Sequence, residues 1–130
     1  MVKTALVDED IDEGRRILEA LDKAGFPVRS AFWFLLPDDT EWRLVIASPI
    51  AQREGPRSAY QKVQAVLRKL SPTPVVTLQN ISVVSPQDAR VRLLGQALQT
   101  GPGIANVRFS RNTINGTFVE DAYIYRLQAA

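Results

Sequence analysis

The stretch from Ser30 to Ile50 constrains the fold of this chain more than any other, because it reads SAFWFLLPDDTEWRLVIASPI. Two runs rich in aromatic and branched residues surround a short polar break, which is typical of a β-hairpin. Proline fixes φ and aspartate side chains bond to their own backbone, so Pro37-Asp38-Asp39 predicts the turn. The first run is apolar on both faces. Such a strand belongs in the interior of a sheet, with cover on both faces or with one face against a partner.

The register of this hairpin depends on the length of its loop. An even number of loop residues would place Trp33 opposite Leu44 and Phe34 opposite Arg43. A three-residue loop would exchange the two faces of the sheet. Both registers remain open at the level of the sequence.

Because the hairpin is apolar on both faces of the sheet, the face opposite the helices also needs to be covered. If all helices lie on one side, Phe32, Phe34 and Val45 form an exposed apolar patch beside Arg43. Aromatic residues and arginine are enriched at protein interfaces, so these four residues are predicted to bind a partner. The alternative is that helices cover both faces of a doubly filled core.

The first helix is predicted from about Ile11 to Ala24, since Asp10 as N-cap and Glu13 match a capping box and Gly25 provides a C-cap. Its acidic first turn complements the helix dipole. The alternative interpretation is a divalent-cation site, for which no second cluster of oxygen ligands can be placed. The acidic residues concerned are Asp8, Glu9, Asp10, Asp12 and Glu13.

Two further helices and three strands follow the hairpin. Proline at a first helical turn predicts a helix from Pro56, which stops before the prolines of the Ser71–Pro74 linker. A third helix is predicted from Ser85 as N-cap with Pro86 at its first position, ending at Gly101. Strands are expected at Ile81–Val84, around Val107 and Phe109, and at Ala122–Leu127, with a turn at Asn115-Gly116.

This order of elements predicts a single α+β domain over residues 1–130. We expect a two-layer structure with a mostly antiparallel sheet of four to five strands and about three helices packed on one face. The predicted order is α-β-β-α-β-α-β-β.

The chain contains neither histidine nor cysteine. Disulfides, thiolate metal sites and the usual nucleophile–base pairs are therefore excluded. An enzyme would have to use carboxylates such as those of Asp38, Asp39 and Glu41, but a hairpin tip does not supply the unlike environments of an acid–base pair. The sequence therefore predicts a non-catalytic protein-interaction or accessory module without cofactor or metal. A carboxylate-based enzyme is the weakest alternative.

Charge is distributed unevenly, with ten acids and five bases in residues 1–41, and four acids and eleven bases in residues 42–130. The alternating arginines and aromatics of the C-terminal third suit phosphate contact and base stacking. Arg108, Arg111, Tyr123, Tyr125 and Arg126 are therefore the candidate residues for binding an anion or nucleic acid. Their alternation along the strands argues against a single shared face, and no RNA-binding signature is present.

The location and assembly of the protein are predicted from composition. No stretch approaches the roughly 18–20 apolar residues of a membrane span, and the N-terminus turns acidic before a signal-peptide core could form. A cytoplasmic bacterial protein is expected, with no membrane partner. Its partner is predicted to be another protein or a second copy in a homodimer.

Overall fold

The computed structural model describes residues 6, 8–39, 41–74, 76 and 78–128. The helices of this part of the chain are α1 (Asp8–Lys23), α2 (Pro49–Arg53), α3 (Pro56–Arg68) and α4 (Ala89–Gly95). The strands are β1 (Ser30–Leu35), β2 (Arg43–Ala47), β3 (Ile81–Val84), β4 (Val107–Ile114) and β5 (Thr117–Leu127). They form one five-stranded sheet in the order β3-β2-β1-β5-β4. The α+β class and the order of elements are confirmed, with the short α2 as an addition.

The central hairpin has the register expected of an even loop. Trp33 lies opposite Leu44, and Phe34 lies opposite Arg43. The turn is closed from both directions at Asp39: its carboxylate accepts from the Leu36 amide at 2.8 Å, and its own amide donates to the Leu36 carbonyl at 3.0 Å. The aspartate therefore closes the turn through its side chain and its backbone together.

The sheet is mixed, because β3 pairs with β2 in parallel while the other three pairings are antiparallel. Parallel neighbours need a crossover connection, which here contains α2 and α3. This connection places α3 on the same face of the sheet as α1, where both contribute to one apolar core.

Two helix boundaries differ from the prediction. α1 begins at Asp8, so Asp10 lies within the first turn and is not the N-cap. α4 is capped by Asp88, which accepts from the Arg90 amide at 2.9 Å, whereas Ser85 closes the preceding turn by accepting from the Gln87 amide.

α4 also ends earlier than expected, at Gly95 instead of Gly101. The residues that follow bond to the end of β5. The Thr100 amide donates to the Leu127 carbonyl at 2.9 Å, and the Ala105 amide donates to the Tyr125 carbonyl at 2.7 Å. The first of these tertiary hydrogen bonds satisfies the Thr100 amide, which a helix extending to Gly101 would have paired internally.

Both faces of the sheet are covered. On one face, α1 and α3 pack over Ala31, Trp33, Leu35 and their neighbours. On the other face, α4 contributes Val91 and Leu94 to a second core that includes Phe32, Phe34, Val45, Ile114 and Val119. The doubly filled core left open by the sequence is therefore the arrangement found. The expected two-layer structure with all helices on one face is wrong, because α4 packs on the opposite face from α1 and α3.

The hairpin of β4 and β5 helps to cover the second face, because its side chains change faces part-way along. Arg111 has a left-handed backbone with φ of 49°. Phe109, which precedes Arg111, faces the second core, and so does Ile114, which follows it. These two residues are an odd number of positions apart. In a regular strand they would lie on opposite faces. The break at Arg111 thus directs the outer part of the hairpin onto α4, where Asn115 bonds to Gln96.

A buried hydroxyl joins α1 to the sheet. Tyr125 is fully buried, and its Oη donates to the Ile11 carbonyl at 2.6 Å while accepting from Trp33 Nε1 at 2.9 Å. Both polar side chains are thereby satisfied in an apolar core. Burial raises the pKa of Tyr125 above its usual value, an effect that the hydrogen bond from Trp33 only partly offsets.

This buried tyrosine predicts a loss of stability in alkali. A raised pKa means that the unfolded chain releases the proton first, so Tyr125 stabilises the fold fully below about pH 10 and progressively less above it. Above about pH 10, we expect the free energy of unfolding to fall by about 1.4 kcal/mol more per pH unit than in a protein without this tyrosine. Urea unfolding of wild type and Tyr125→Phe between about pH 9 and about pH 11.5 measures it. Equal slopes for the two proteins would contradict the prediction.

Candidate functional site

A shallow groove runs between α1 and α3 on the outer side of the first core. The two helices run in opposite directions, since Arg16 bonds to the Pro72 carbonyl at one end and Gly25 lies beside Lys62 at the other. The groove consists of two adjoining cavities of about 310 and 360 Å³. Small apolar side chains form its floor, namely Ala20, Ala24, Ala65 and Val66. Larger apolar residues also line the cavities, namely Phe26, Pro27, Ile50 and Leu70.

Lysines stand along both sides of this floor. Of the four lysines in the chain, Lys23, Lys62 and Lys69 line the two cavities, and we call the site the lysine groove. Lys23 belongs to the α1 wall, and the other two belong to the α3 wall. Three positive charges therefore border one strip of apolar surface.

Two of these lysines have free ammonium groups. Within the part of the chain that the structure describes, neither the Lys23 nor the Lys69 ammonium group has a hydrogen-bonding or ionic partner. Lys62 differs, because its Nζ lies 2.9 and 3.1 Å from the two carboxylate oxygens of Glu54. The hydrogen bond from Lys62 lowers the pKa of Glu54.

Local helix chemistry explains how the lysines reach these positions. Lys23 lies in the last turn of α1, and Lys69 is the C-cap of α3, where positive charge is favourable against the helix dipole. Lys62 and Lys69 are seven residues apart and therefore lie on the same side of α3, about 10.5 Å apart along its axis. The arrangement suits a ligand with an apolar stripe and acidic flanks.

The predicted partner-binding patch is not present on the surface. Phe32 and Val45 are 0% exposed and Phe34 is 2% exposed, because α4 and the outer part of the β4–β5 hairpin cover them. A partner could reach them only if α4 moved away. Arg43 ties β2 to β3, donating to Ser82 Oγ at 3.0 Å and to the Ile81 carbonyl at 3.2 Å.

The five residues predicted for anion or nucleic-acid binding are not brought onto one surface. Tyr125 and Arg126 are buried, at 0% and 5% exposure. Arg108 is paired with Asp121, with Nε 2.8 Å from Oδ1. Tyr123 is half-buried and donates to Asn106 at 3.0 Å, which leaves Arg111 as the exposed member without a partner among the described residues.

Arg126 has a structural explanation. Its guanidinium lies 2.8 and 3.1 Å from the carboxylate oxygens of Asp22 and donates to the Val28 carbonyl at 3.1 Å. It also donates to the Gly103 carbonyl at 3.3 Å. One buried side chain therefore joins β5, α1 and two connecting segments.

Two acidic residues of α1 form ion pairs within the helix. Asp12 pairs with Arg15 at 3.0 Å, and Glu13 pairs with Arg16 at 3.4 Å, each within α1. No group of three or more potential metal ligands was found among the described residues. At the hairpin tip, Thr40 lies outside the described residues and Asp39 closes the turn.

None of the helices in the described ranges has the length and apolar character needed to cross a membrane.

No family model, curated protein or solved structure matches the chain. The functional proposal therefore depends on the geometry of the lysine groove.

The sequence analysis did not identify the lysine groove. Lys62 and Lys69 lie on the solvent face of α3, so the pattern of this helix alone gives no sign of a shared site. The signal that could have revealed the site is the coincidence of alanines on the outer faces of two helices, at Ala20, Ala24 and Ala65. Alanine leaves depth between adjacent helices where longer side chains would fill it.

Proposed function

We propose that the chain is a non-catalytic protein-interaction module whose partner binds in the lysine groove. The observation that carries the proposal is the pair of unpartnered ammonium groups, Lys23 and Lys69, on either side of an apolar floor. Charges beside desolvated apolar surface give an interface both orientation and affinity. We also propose that the protein is located in the cytoplasm, as its composition predicts.

The shape of the groove favours a macromolecular partner over a small molecule. Small-molecule sites are usually concave and enclose most of the ligand surface. The lysine groove is open along its length, and its α3 wall from Lys62 to Leu70 extends for about 12 Å. A segment of a partner protein can use the whole strip, whereas a small ligand would leave much of it in water.

Site-specific photo-crosslinking in cells that produce the protein tests this proposal. We expect p-benzoylphenylalanine in place of Ala65 to give discrete covalent adducts with another protein. The same group in place of Thr113, which is exposed on β4, serves as the matched control and should give few. Charge reversal by Lys23→Glu and Lys69→Glu should reduce the Ala65 adducts by about tenfold, because it replaces attraction by repulsion.

Absence of adducts at position 65 would overturn the proposed function. The same adducts at both positions, or adducts that charge reversal leaves unchanged, would also overturn it.

A further inference from the structure

We infer that the segment that occupies the lysine groove is an acidic amphipathic α-helix of another protein. The inference rests on the function proposed above and specifies the class of partner. Three features of the groove lead to it: the state of the backbone in its walls, the size of its floor side chains, and the placement of its charges.

The walls of the groove favour a helical occupant. α3 forms one wall, and the end of α1 with the loop Ala24–Pro27 forms the other. Interior backbone groups of the helices are bonded to one another, and the amides of the loop are bonded to α1 carbonyls except at Pro27, which has no N–H. An extended segment laid on these walls would bury backbone groups that find no partner, which is costly. A helix satisfies its own backbone and needs only side-chain contact, as in other helix-in-groove interfaces.

The dimensions of the floor fit a helix of modest length. Alanine at positions 20, 24 and 65 allows close approach, since helices pack at about 8–10 Å according to the side chains between them. The α3 wall from Lys62 to Leu70 extends for about 12 Å, which corresponds to roughly two turns of an occupant lying parallel to it. Its apolar stripe would follow the spacing i, i+3, i+4, i+7.

The lysines define the charge of the occupant. Lys62 and Lys69 stand on one wall and Lys23 stands on the other, so acidic side chains are required on both flanks of the apolar stripe. Acids one heptad apart would match the spacing of about 10.5 Å between Lys62 and Lys69. The exposed ion pair of Lys62 with Glu54 offers little resistance to exchange of partner.

A second copy of this chain does not meet the requirement. α1 is itself acidic and amphipathic, but its Ile17, Leu18 and Leu21 are buried in its own core. The apolar residues of α3 are likewise packed against the sheet, and its charged residues are mainly basic. Among the described elements, neither long helix is free to act as the acidic ligand of another copy.

A labelled synthetic peptide tests the inference by fluorescence anisotropy with the full chain. The probe has about 18 residues, with leucines at helical spacing and glutamates on both flanks. We expect a Kd in the micromolar range that weakens as salt is raised. A scrambled peptide of identical composition, which has no apolar face, should bind at least about tenfold more weakly, as should a version with lysine in place of glutamate.

Matched variants separate the groove from the overall charge. Lys23→Glu with Lys69→Glu should weaken binding by about tenfold or more, whereas Arg92→Glu with Arg111→Glu alters net charge equally at exposed positions of α4 and β4 and should have little effect. Lys23→Gln with Lys69→Gln should give an intermediate loss. Circular dichroism checks that each variant is folded.

Several results would overturn the inference. These are equal binding of the scrambled peptide, equal weakening by the two charge-reversal pairs, or displacement of the peptide by dodecanoate at lower concentration than by the unlabelled peptide. The last result would assign the groove to single-chain amphiphiles. If the adducts at position 65 also form in a lysate of these cells and the added acidic peptide does not reduce them, only the helical class of partner is wrong. Loss of that crosslinking itself would instead remove the proposed function.

Discussion

Replacing Gly14 with alanine is expected to lower the free energy of unfolding by about 2–3 kcal/mol, the cost of overpacking a filled core. Gly14 is buried on the inner side of α1. A Cβ atom there would overlap Tyr125 Oη and would lie 2.8 Å from Trp33 Nε1 and 2.9 Å from Tyr125 Cζ. These atoms belong to aromatic rings held by a mutual hydrogen bond and by burial, so they have little freedom to withdraw.

The sign of this effect is informative because helix propensity predicts the opposite. Glycine inside a helix is about 1 kcal/mol less favourable than alanine, so α1 in isolation would gain from the substitution. A net loss would show that close approach of α1 to the sheet outweighs the propensity of the residue. Urea unfolding followed by circular dichroism gives the free energy, provided that the slope with urea is unchanged.

A double-mutant cycle with Tyr125→Phe provides the control. Removing the hydroxyl eliminates the shortest of the three contacts but leaves those to Cζ and to Trp33. The combined variant should therefore be more stable than the sum of the two single effects implies, by about 1 kcal/mol. Strict additivity would contradict the proposed contact, and a gain in stability from Gly14→Ala alone would contradict the packing.

Replacing Asp22 with alanine is expected to cost about 3 kcal/mol, because it leaves the buried guanidinium of Arg126 without its counter-charge. The Arg126 side chain is 7% exposed, whereas that of Asp22 is 39% exposed. Removing Asp22 therefore leaves the charge of Arg126 without a partner at a position that is nearly inaccessible to water. The carbonyls of Val28 and Gly103 accept from Arg126 but supply no full negative charge.

Asp12→Ala is the matched control for this prediction. Asp12 is on the same helix and also pairs with an arginine, Arg15, at 3.0 Å. Its side chain is 74% exposed, so loss of this pair should cost less than about 1 kcal/mol. Similar losses from Asp12→Ala and Asp22→Ala, measured by urea unfolding, would show that the burial of Arg126 has no special effect.

The local elements of the fold could be read from the sequence. The Ser30–Ile50 hairpin, its turn and the strand at Ile81–Val84 depend on residues close together in the chain. The structure selects one of the two registers left open for the hairpin, the one with Trp33 opposite Leu44. Choosing between them required the rest of the sheet, since β1 also pairs with β5.

Helix boundaries were harder to predict from the sequence, because tertiary hydrogen bonds determine them. The pattern from Ser85 to Gly101 is compatible with a long third helix, but the Thr100 amide bonds to β5 instead. Asp88 and not Ser85 caps α4. Both residue types are good N-caps, so their preference alone does not distinguish them.

The burial of Phe32, Phe34 and Val45 was unpredictable for a similar reason. Their cover comes from α4 and from a hairpin redirected at Arg111, and neither position is encoded near these three residues. Arg126 likewise finds its partner 104 positions away. Sequence patterns identify chemically capable residues, but partners so distant along the chain decide whether those residues remain available to a ligand.

The position of β5 has a consequence for biosynthesis. β5 is made last among the strands but lies beside the central strand β1, and the bond between Trp33 and Tyr125 spans 92 positions. During translation, the earlier strands therefore emerge from the ribosome before the strand that completes the core. Contacts so remote slow folding and prolong the exposure of aromatic surface. A nascent chain of this protein therefore cannot complete its core until the β4–β5 hairpin has been synthesised.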